Sequence, residues 1–238
     1  MVNFVTVPFN ARSGQPIILR ISMKPYRSVL SEATAQSGVL ALIFGVYKKN
    51  GFAYTLLKCG YKEHSQYREF IDVLESMPQV KDIKILEKKA RCCSLILIKN
   101  FCDFYDKIMS KKILVLTPYI MSKGLRKFIA VVPERSELNM LSKMLEEHGQ
   151  VINKERLSFE QAISYLEKNI VSVDLNSILT PKQLEILDLA YRYGYYDWPR
   201  RIKLDEISKL MNISKTTVSE HLRRAELKIL NFILKSKA

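Results

Sequence analysis

Three polar side chains recur at helical spacing near the end of this chain. At about 100° per residue, Thr216, Glu220 and Arg223 lie at about 160°, 200° and 140° from Val218 around a helix. Arginine pairs with guanine O6 and N7, glutamate accepts from cytosine N4, and threonine bonds a base edge or contacts a thymine methyl. These residues predict contact with base edges of duplex nucleic acid, although for Glu220 a solvated helix surface is an equally good interpretation. The opposite, apolar side consists of Val218, Leu222, Ala225 and Ile229.

Further polar residues flank this side of the helix. Thr217 and Ser219 lie at its borders and are also assigned to base edges. Positive side chains are assigned to phosphate, because such groups position a protein on the duplex without reading its sequence. They lie at the start of this helix, on its flank, and before the preceding helix. The residues assigned to phosphate are Arg200, Arg201, Lys203, Lys215 and Arg224.

A short helix and a tight turn are predicted to position these side chains. The segment "LDEISKLM" has the apolar spacing of a helix with Leu204, Ile207 and Leu210 facing inward. The segment "MNIS" is a tight turn, and Ser214 caps the longer helix that follows. Together they form a helix-turn-helix pattern whose recognition helix, residues 214–230, is expected to lie in the major groove.

An earlier helix begins at Thr180-Pro181. Thr180 caps the first turn of the helix, Pro181 occupies its first position, and Gln183 completes a capping box. The predicted apolar stripe is Leu184, Leu187 and Tyr191, and the helix ends at Gly194.

An aromatic loop, "GYYDWPRR", joins this helix to the helix-turn-helix pair. Its aromatic residues have two interpretations, a packed clamp that sets the angle between helices or a platform on which a ligand stacks. Because the loop lies between helices and not on the recognition helix, the clamp is the favoured prediction. The residues concerned are Tyr195, Tyr196 and Trp198.

The segment "LTPKQLEILDLAYRYGYYDWPRRIKLDEISKLMNISKTTVSEHLRRAELKIL" resembles the helix-turn-helix domain of the archaeal bacterio-opsin activator family. It is similar, more loosely, to region 4 of bacterial sigma factors. The resemblance covers about a quarter of the chain and implies transcriptional regulation through duplex DNA. The matching residues are Gly194, Tyr195, Tyr196, Asp197, Pro199 and Arg200 in the loop, and Ser214, Ser219, Leu222, Arg223, Ala225 and Glu226 in the recognition helix.

The charge and the hydropathy pattern agree with a polyanion partner. The net charge is +14 and the pI about 9.6, a balance that favours nucleic acid, although a lysine-rich solvated surface would give the same value. No apolar run is long enough to span a bilayer, which takes about 18 residues, and "MVNFVTVPFNARSGQP" lacks the pattern of a signal peptide. We therefore expect a cytoplasmic protein without a membrane partner.

Residues for catalysis or metal binding are sparse. The cysteines at 59, 92, 93 and 102 form no Cys-x-x-Cys pair, and the histidines at 64, 148 and 221 are scattered. No glycine-rich phosphate loop or nucleophile elbow occurs. We expect buried free thiols, no catalytic residue, no metal site, no cofactor and no enzymatic activity.

The region before the helix-turn-helix segment shows the order β-α-β-β-α-β twice, which predicts an α+β fold with a tandem ferredoxin-like domain over residues 1–157. Asn50-Gly51 predicts a hairpin turn in the first half. Ser158 and Gln161 start a further helix that is predicted to end near Asn169. Residues 158–178 are thus a linker helix and linker, and an all-α domain occupies residues 179–238.

Two roles remain open for the N-terminal domain, namely binding a small-molecule effector or forming a homodimer. Apolar residues at the end of the last helix are expected to pack on a second subunit or, equally, on the N-terminal domain. A different function class is RNA binding through the sheet, because Phe52 and Tyr54 in "NGFAY" occupy the strand position of an RNA-recognition signature. An ordinary structural strand is the favoured interpretation, because the first strand, "PIILRI", lacks an aromatic partner and Gly51 is needed for the turn. The apolar residues at the end of the last helix are Leu230, Phe232, Ile233 and Leu234.

Overall fold

A computed structural model describes residues 15–101, 104–110 and 113–235. The fold is α+β, with a sheet of eight strands and eight α-helices among these residues. The predicted absence of a signal peptide concerns residues that lie mostly outside the described ones. Cys102 also lies outside them. The strands are β1 (Ile17–Pro25), β2 (Leu40–Lys49), β3 (Phe52–Gly60), β4 (Val80–Lys89), β5 (Cys92–Asn100), β6 (Leu114–Ser122), β7 (Leu125–Val132) and β8 (Gly149–Leu157). The helices are α1 (Val29–Ser37), α2 (His64–Ser76), α3 (Phe104–Ser110), α4 (Leu138–His148), α5 (Phe159–Ile178), α6 (Pro181–Arg192), α7 (Leu204–Met211) and α8 (Lys215–Lys235).

All eight strands join in one antiparallel sheet with the order β4-β5-β3-β2-β6-β7-β1-β8. The repeated β-α-β-β-α-β order along the chain is confirmed. In a self-contained ferredoxin-like half, the first strand would lie between the third and fourth strands of the same half. Here β5 lies between β4 and β3, and β1 lies between β7 and β8. Relative to two self-contained ferredoxin-like halves, β1 and β5 have therefore exchanged places in the sheet.

The connection between β4 and β5 gives a physical reason for the exchange. Only Ala90 and Arg91 separate these strands, and a connection of two residues joins strands that are antiparallel neighbours. β5 is thus held beside β4, where β1 would lie in a self-contained half. The hairpin predicted at Asn50-Gly51 is confirmed, with φ of 50° and 79° at the two turn residues.

Helices cover the two faces of the sheet unequally. Helices α1 to α4 pack on one face, and the largest core side chains, Phe70, Phe104 and Phe128, lie there. The three cysteines at 59, 92 and 93 are buried and free, as predicted. Burial raises the pKa of the Cys59 thiol well above its ordinary value, so this residue stays a neutral thiol at physiological pH. Among the described residues, no group of His, Cys, Asp or Glu side chains could hold a metal ion.

Helix α5 covers part of the opposite face. Ala162 packs beside Ile129, and Val173 packs beside Leu42 and Ile120. The capping box predicted at the start of this helix is confirmed. None of the helices in the described ranges is both long and apolar enough to cross a bilayer.

The predicted end of α5 near Asn169, with a linker over residues 170–178, is wrong. No glycine or proline interrupts the chain between residues 158 and 180, and Ile170 and Val173 continue the apolar stripe onto the sheet. Asp174 forms an ion pair with Lys58 of β3. Packing against the sheet therefore keeps this segment helical up to residue 178.

Replacing Gly149 by alanine is expected to lower the free energy of unfolding by about 1–3 kcal/mol. A Cβ at Gly149 would lie 2.5 Å from the carbonyl oxygen of Lys24 and 2.9 Å from Cα of Pro25. Both are backbone atoms of the β1–β8 pairing, so a strand must move to remove the steric clash. The urea midpoint measures the effect, with Gly45→Ala as the control because a Cβ at Gly45 meets no atom within 4 Å. Equal midpoints for the two variants would contradict the expectation.

Candidate nucleic-acid interface

Helices α6, α7 and α8 pack around a small apolar core. Its buried members include Ile186 and Ala190 of α6, Ile207 of α7, and Val218 and Leu222 of α8. The predicted apolar side of α8 is confirmed, since Val218 and Ala225 have no exposed surface and Leu222 is 3% exposed. This core fixes how the rest of α8 faces solvent.

The predicted inward faces of α6 and α7 were partly wrong. Tyr191 is 73% exposed and Leu210 is 56% exposed. On α6 the buried pair Ile186 and Ala190 sets the inward direction, and Tyr191 lies about 100–140° away from it. On α7, Met211 also packs against the core of the three helices. Leu210 lies about 100° away from it around the helix and therefore faces solvent. Periodicity over helices of 12 and 8 residues, about three and two turns, does not define the inward direction well enough to separate such neighbours.

The turn between α7 and α8 has the predicted form. Asn212 adopts a left-handed conformation, with φ of 52° and ψ of 44°. Ser214 caps α8, because its hydroxyl oxygen accepts a hydrogen bond from the backbone N–H of Thr217 at 3.1 Å. The same hydroxyl lies 2.7 Å from the hydroxyls of both Thr216 and Thr217. This network holds the polar start of α8 in place.

The side of α8 opposite the core is exposed and polar over its first turns. All the residues assigned to base edges lie there or at its borders, and only Thr217 is half-buried. Lys215 pairs with Asp205 of α7 at 3.0 Å, and Arg224 pairs with Glu220. Such surface pairs contribute only about 0–1 kcal/mol, so a phosphate could replace the carboxylate partner. Arg223 forms no ion pair with any residue in the described ranges.

The remaining positive residues lie in and after the loop between α6 and α7. Arg201 donates from Nε to Asp197 at 2.5 Å, and the guanidinium of Arg200 lies 4.4 Å from the centre of the Tyr195 ring. Lys203 is exposed immediately before α7. The loop starts at Gly194, whose φ of 79° favours glycine. The structure thus places Arg200, Arg201 and Lys203 around the start of α7, on the same domain as the polar side of α8.

The comparison with known families gives the decisive result for this region. Residues 179–231 match the model of the HTH DNA binding domain. This segment is an HTH DNA-binding domain. The resemblance seen in the sequence is therefore confirmed for the HTH domain, which makes up the C-terminal part of the chain.

Similar proteins occur in two archaea. The chain is 30% identical over 104 residues to the dimethyl sulfoxide reductase transcriptional activator of Haloferax volcanii, which covers 44% of this chain and 48% of that protein. It is 36% identical over 66 residues to the transcriptional regulator NarO of the same organism, covering 28% and 31%. The bacterioopsin transcriptional activator of Halobacterium salinarum is 38% identical over 56 residues, covering 24% and 8%. The chain thus spans less than half the length of each of these relatives.

Within the HTH domain, the aromatic loop differs from the packed clamp favoured by the sequence. Tyr195 packs against the core, and its ring meets that of Tyr196 edge to face at 5.1 Å. The Tyr196 hydroxyl donates to Oε1 of Glu226 in α8 at 2.5 Å. Trp198, however, is 95% exposed. The prediction of a three-residue clamp is therefore wrong for Trp198, because the anchored neighbours hold its ring outside the helix packing.

Two residues of the HTH domain received no structural role from the sequence. Glu226 holds the loop through Tyr196, and burial together with this hydrogen bond raises the pKa of the tyrosine hydroxyl. Lys228 donates to the carbonyl oxygen of Ile178 at 2.9 Å and to Oε1 of Gln183 at 3.0 Å. It thus ties α8 to the junction between α5 and α6. The partners of these two residues lie 30 to 50 positions away along the chain, so helical periodicity alone could not reveal them.

Proposed function

We propose that this chain is a regulator of transcription that binds duplex DNA in a sequence-specific way, with α8 in the major groove. The observation that carries the proposal is the exposed polar side of α8 within a domain that matches the HTH DNA binding domain. The names of the similar proteins, a transcriptional regulator and two transcriptional activators, support a role in transcription. The alignment over 104 residues exceeds the HTH domain, so part of the similarity lies outside it.

Two groups of side chains would contact the duplex in different ways. The first would read base edges, and the second would neutralise phosphates and set the orientation on the duplex. The base-reading group is Thr216, Thr217, Ser219, Glu220 and Arg223. The side chains proposed to contact phosphates are Arg200, Arg201, Lys203, Lys215 and Arg224.

The proposed domains are residues 1–157, the connecting segment 158–178, and residues 179–238. The first would be a tandem ferredoxin-like domain in which the halves exchange their first strands, a proposal supported by the strand order. Because α5 packs on the sheet up to Val173 and Asp174, the connecting segment would act as a stiff helical support for the HTH domain.

A second copy of the chain is the proposed partner of the end of α8. Leu227, Leu230 and Leu234 are 55%, 54% and 61% exposed, and their spacing of three and four residues is that of a two-helix seam. Pairing of these leucines would bury apolar surface and bring two recognition helices to one site. Sedimentation equilibrium of wild type and Leu230→Asp measures this, with a dimer expected only for the wild type.

A basic groove in the sheet domain is the proposed site of an effector. Its volume is about 1080 Å³, and it lies between the start of α1, the end of β5 and the β6–β7 turn. Positive side chains predominate at its wall, which favours an anionic small molecule. Its charged lining residues are Lys24, Arg27, Glu32, Lys99, Lys123 and Arg126.

RNA binding through the sheet is the second candidate. Leu57 and Cys59 of β3 face the helical layer, so the alternating Phe52 and Tyr54 lie on the opposite face. Both are half-buried, and the Tyr54 ring lies 6.3 Å from that of Tyr47. Aromatic side chains on an open sheet face are suited to stacking with unpaired bases.

A competition experiment separates the two candidates. The full chain is bound to a labelled mixed-sequence DNA duplex and challenged with unlabelled duplex or single-stranded RNA. We expect duplex to displace the label at lower concentration than RNA, and Phe52→Ala with Tyr54→Ala to leave duplex binding unchanged. Preferred displacement by RNA, lost in those variants, would favour the second candidate.

A further inference from the structure

Trp198 has the most exposed large apolar side chain in the described part of the chain. It is 95% exposed, and it is the only tryptophan among the 238 residues. An indole ring contributes strongly to stability when it is buried. Because this ring is exposed, it adds almost no free energy of burial to the fold. Its position outside the core leaves the indole ring free to contact a ligand.

The loop around Trp198 is anchored on both sides. Before it, Tyr195 packs on the HTH core and Tyr196 donates to Glu226 at 2.5 Å. After it, the backbone N–H of Arg201 donates to the carbonyl oxygen of Gly194 at 3.0 Å, and the Arg201 side chain pairs with Asp197. The ring is thus presented from a preorganised support, which reduces the entropy lost when a ligand covers it.

The anchor on Glu226 sets where the loop lies relative to the proposed reading side of α8. Glu226 is about 60° around the helix and about 4.5 Å along it from Arg223. A helix with its side chains is about 10–12 Å across, and the major groove is about 12 Å wide. With α8 in the groove, a loop packed on its flank meets the wall of the groove, which consists of deoxyribose and phosphate.

The chemistry around the ring fits that wall. Residues 192–203 contain four basic side chains and one acidic side chain, and the acidic one, Asp197, is already paired with Arg201. An indole offers an apolar face for a sugar and one N–H that can donate to a phosphate oxygen. A positively charged surround suits a polyanion better than the apolar surface of a protein.

We propose that Trp198 packs against the deoxyribose–phosphate wall of duplex DNA beside the groove that α8 occupies, with Arg200 and Arg201 on adjoining phosphates. The contact would be independent of sequence and would add affinity to the base reading by α8. This proposal rests on the proposed duplex binding and names a second contact surface for it.

The intrinsic fluorescence of the wild-type chain tests the proposal without any substitution. In the free protein, Trp198 should emit as a water-exposed indole and be quenched readily by acrylamide. On addition of an unlabelled mixed-sequence duplex, its emission should change and its access to acrylamide should fall. Both changes should saturate at the concentration at which the anisotropy of a labelled duplex saturates.

A substitution gives the second arm of the test. Trp198→Ala should weaken binding of every duplex about tenfold, on the scale of an aromatic stacking contact. The salt dependence of binding should stay unchanged, because no charge is removed. Phe159→Ala is the matched control, since Phe159 is 66% exposed on α5 outside the HTH domain, and it should bind like the wild type.

Two failures can be told apart. If the wild type binds duplex while Trp198 emission and the affinity of Trp198→Ala are unaltered, the Trp198 contact is overturned and duplex binding stands. If the wild type binds no duplex at any salt concentration, the proposed function itself is overturned together with this contact.

Discussion

Arg223→Ala is expected to lower the affinity for the preferred DNA site by about 1–3 kcal/mol, the scale of one bidentate contact with guanine. Arg223 is exposed on the side of α8 opposite the buried Val218 and Leu222, so the substitution leaves the HTH core intact. The preferred site is obtained by selection from a random duplex pool with the wild-type chain. Affinities for that site and for a scrambled duplex then give the discrimination ratio, which should collapse in the variant.

Lys215→Ala is the matched control for this experiment. Lys215 lies at the start of the same helix and pairs with Asp205 at 3.0 Å. If it meets phosphate, its loss weakens all duplexes alike and lowers the salt slope by about one. A discrimination ratio that is unchanged in Arg223→Ala, or lost only in Lys215→Ala, would show that the assignment of the groove-facing side is wrong.

Ile207→Ala is expected to lower the free energy of unfolding of the HTH domain by about 2–5 kcal/mol. Ile207 has no exposed surface and joins α7 to the residues of α6 and α8. The core around it is small, so a cavity there removes a large share of the packing that orients α8. Urea unfolding of the full chain should show an early transition for the HTH domain, and duplex binding should fall with it.

Leu210→Ala provides the comparison on the same helix. Leu210 is 56% exposed, and surface substitutions of this kind change stability by only about 0.5 kcal/mol. A loss of stability in Leu210→Ala equal to that in Ile207→Ala would contradict the packing described for α7.

Local signals in the sequence were enough to predict the HTH domain. The capping box at Thr180 is formed, and Asn212 and Ser214 make the predicted turn and cap. Each of these features depends on hydrogen bonds between residues a few positions apart. The buried side of α8 was also predictable, because Lys215–Lys235 is long enough for its periodicity to be clear.

Features decided by distant contacts were not predictable in the same way. The order of elements along the chain is the same whether or not the two halves exchange β1 and β5, so only the long-range pairing distinguishes the arrangements. The extension of α5 beyond Asn169 depends on its packing against β3 and β6. Likewise, the position of Trp198 follows from the anchors at Tyr196 and Arg201, which the loop sequence does not reveal.

A salt titration of duplex binding by the full wild-type chain tests the central claim most directly. The logarithm of the association constant should fall linearly with the logarithm of salt concentration. Each proposed phosphate contact contributes about 0.9 to the slope, so the five assigned residues predict a slope of about −4.5 per bound chain. Absence of duplex binding at low salt, or binding that does not change with salt, would contradict the proposal that this chain is a DNA-binding regulator.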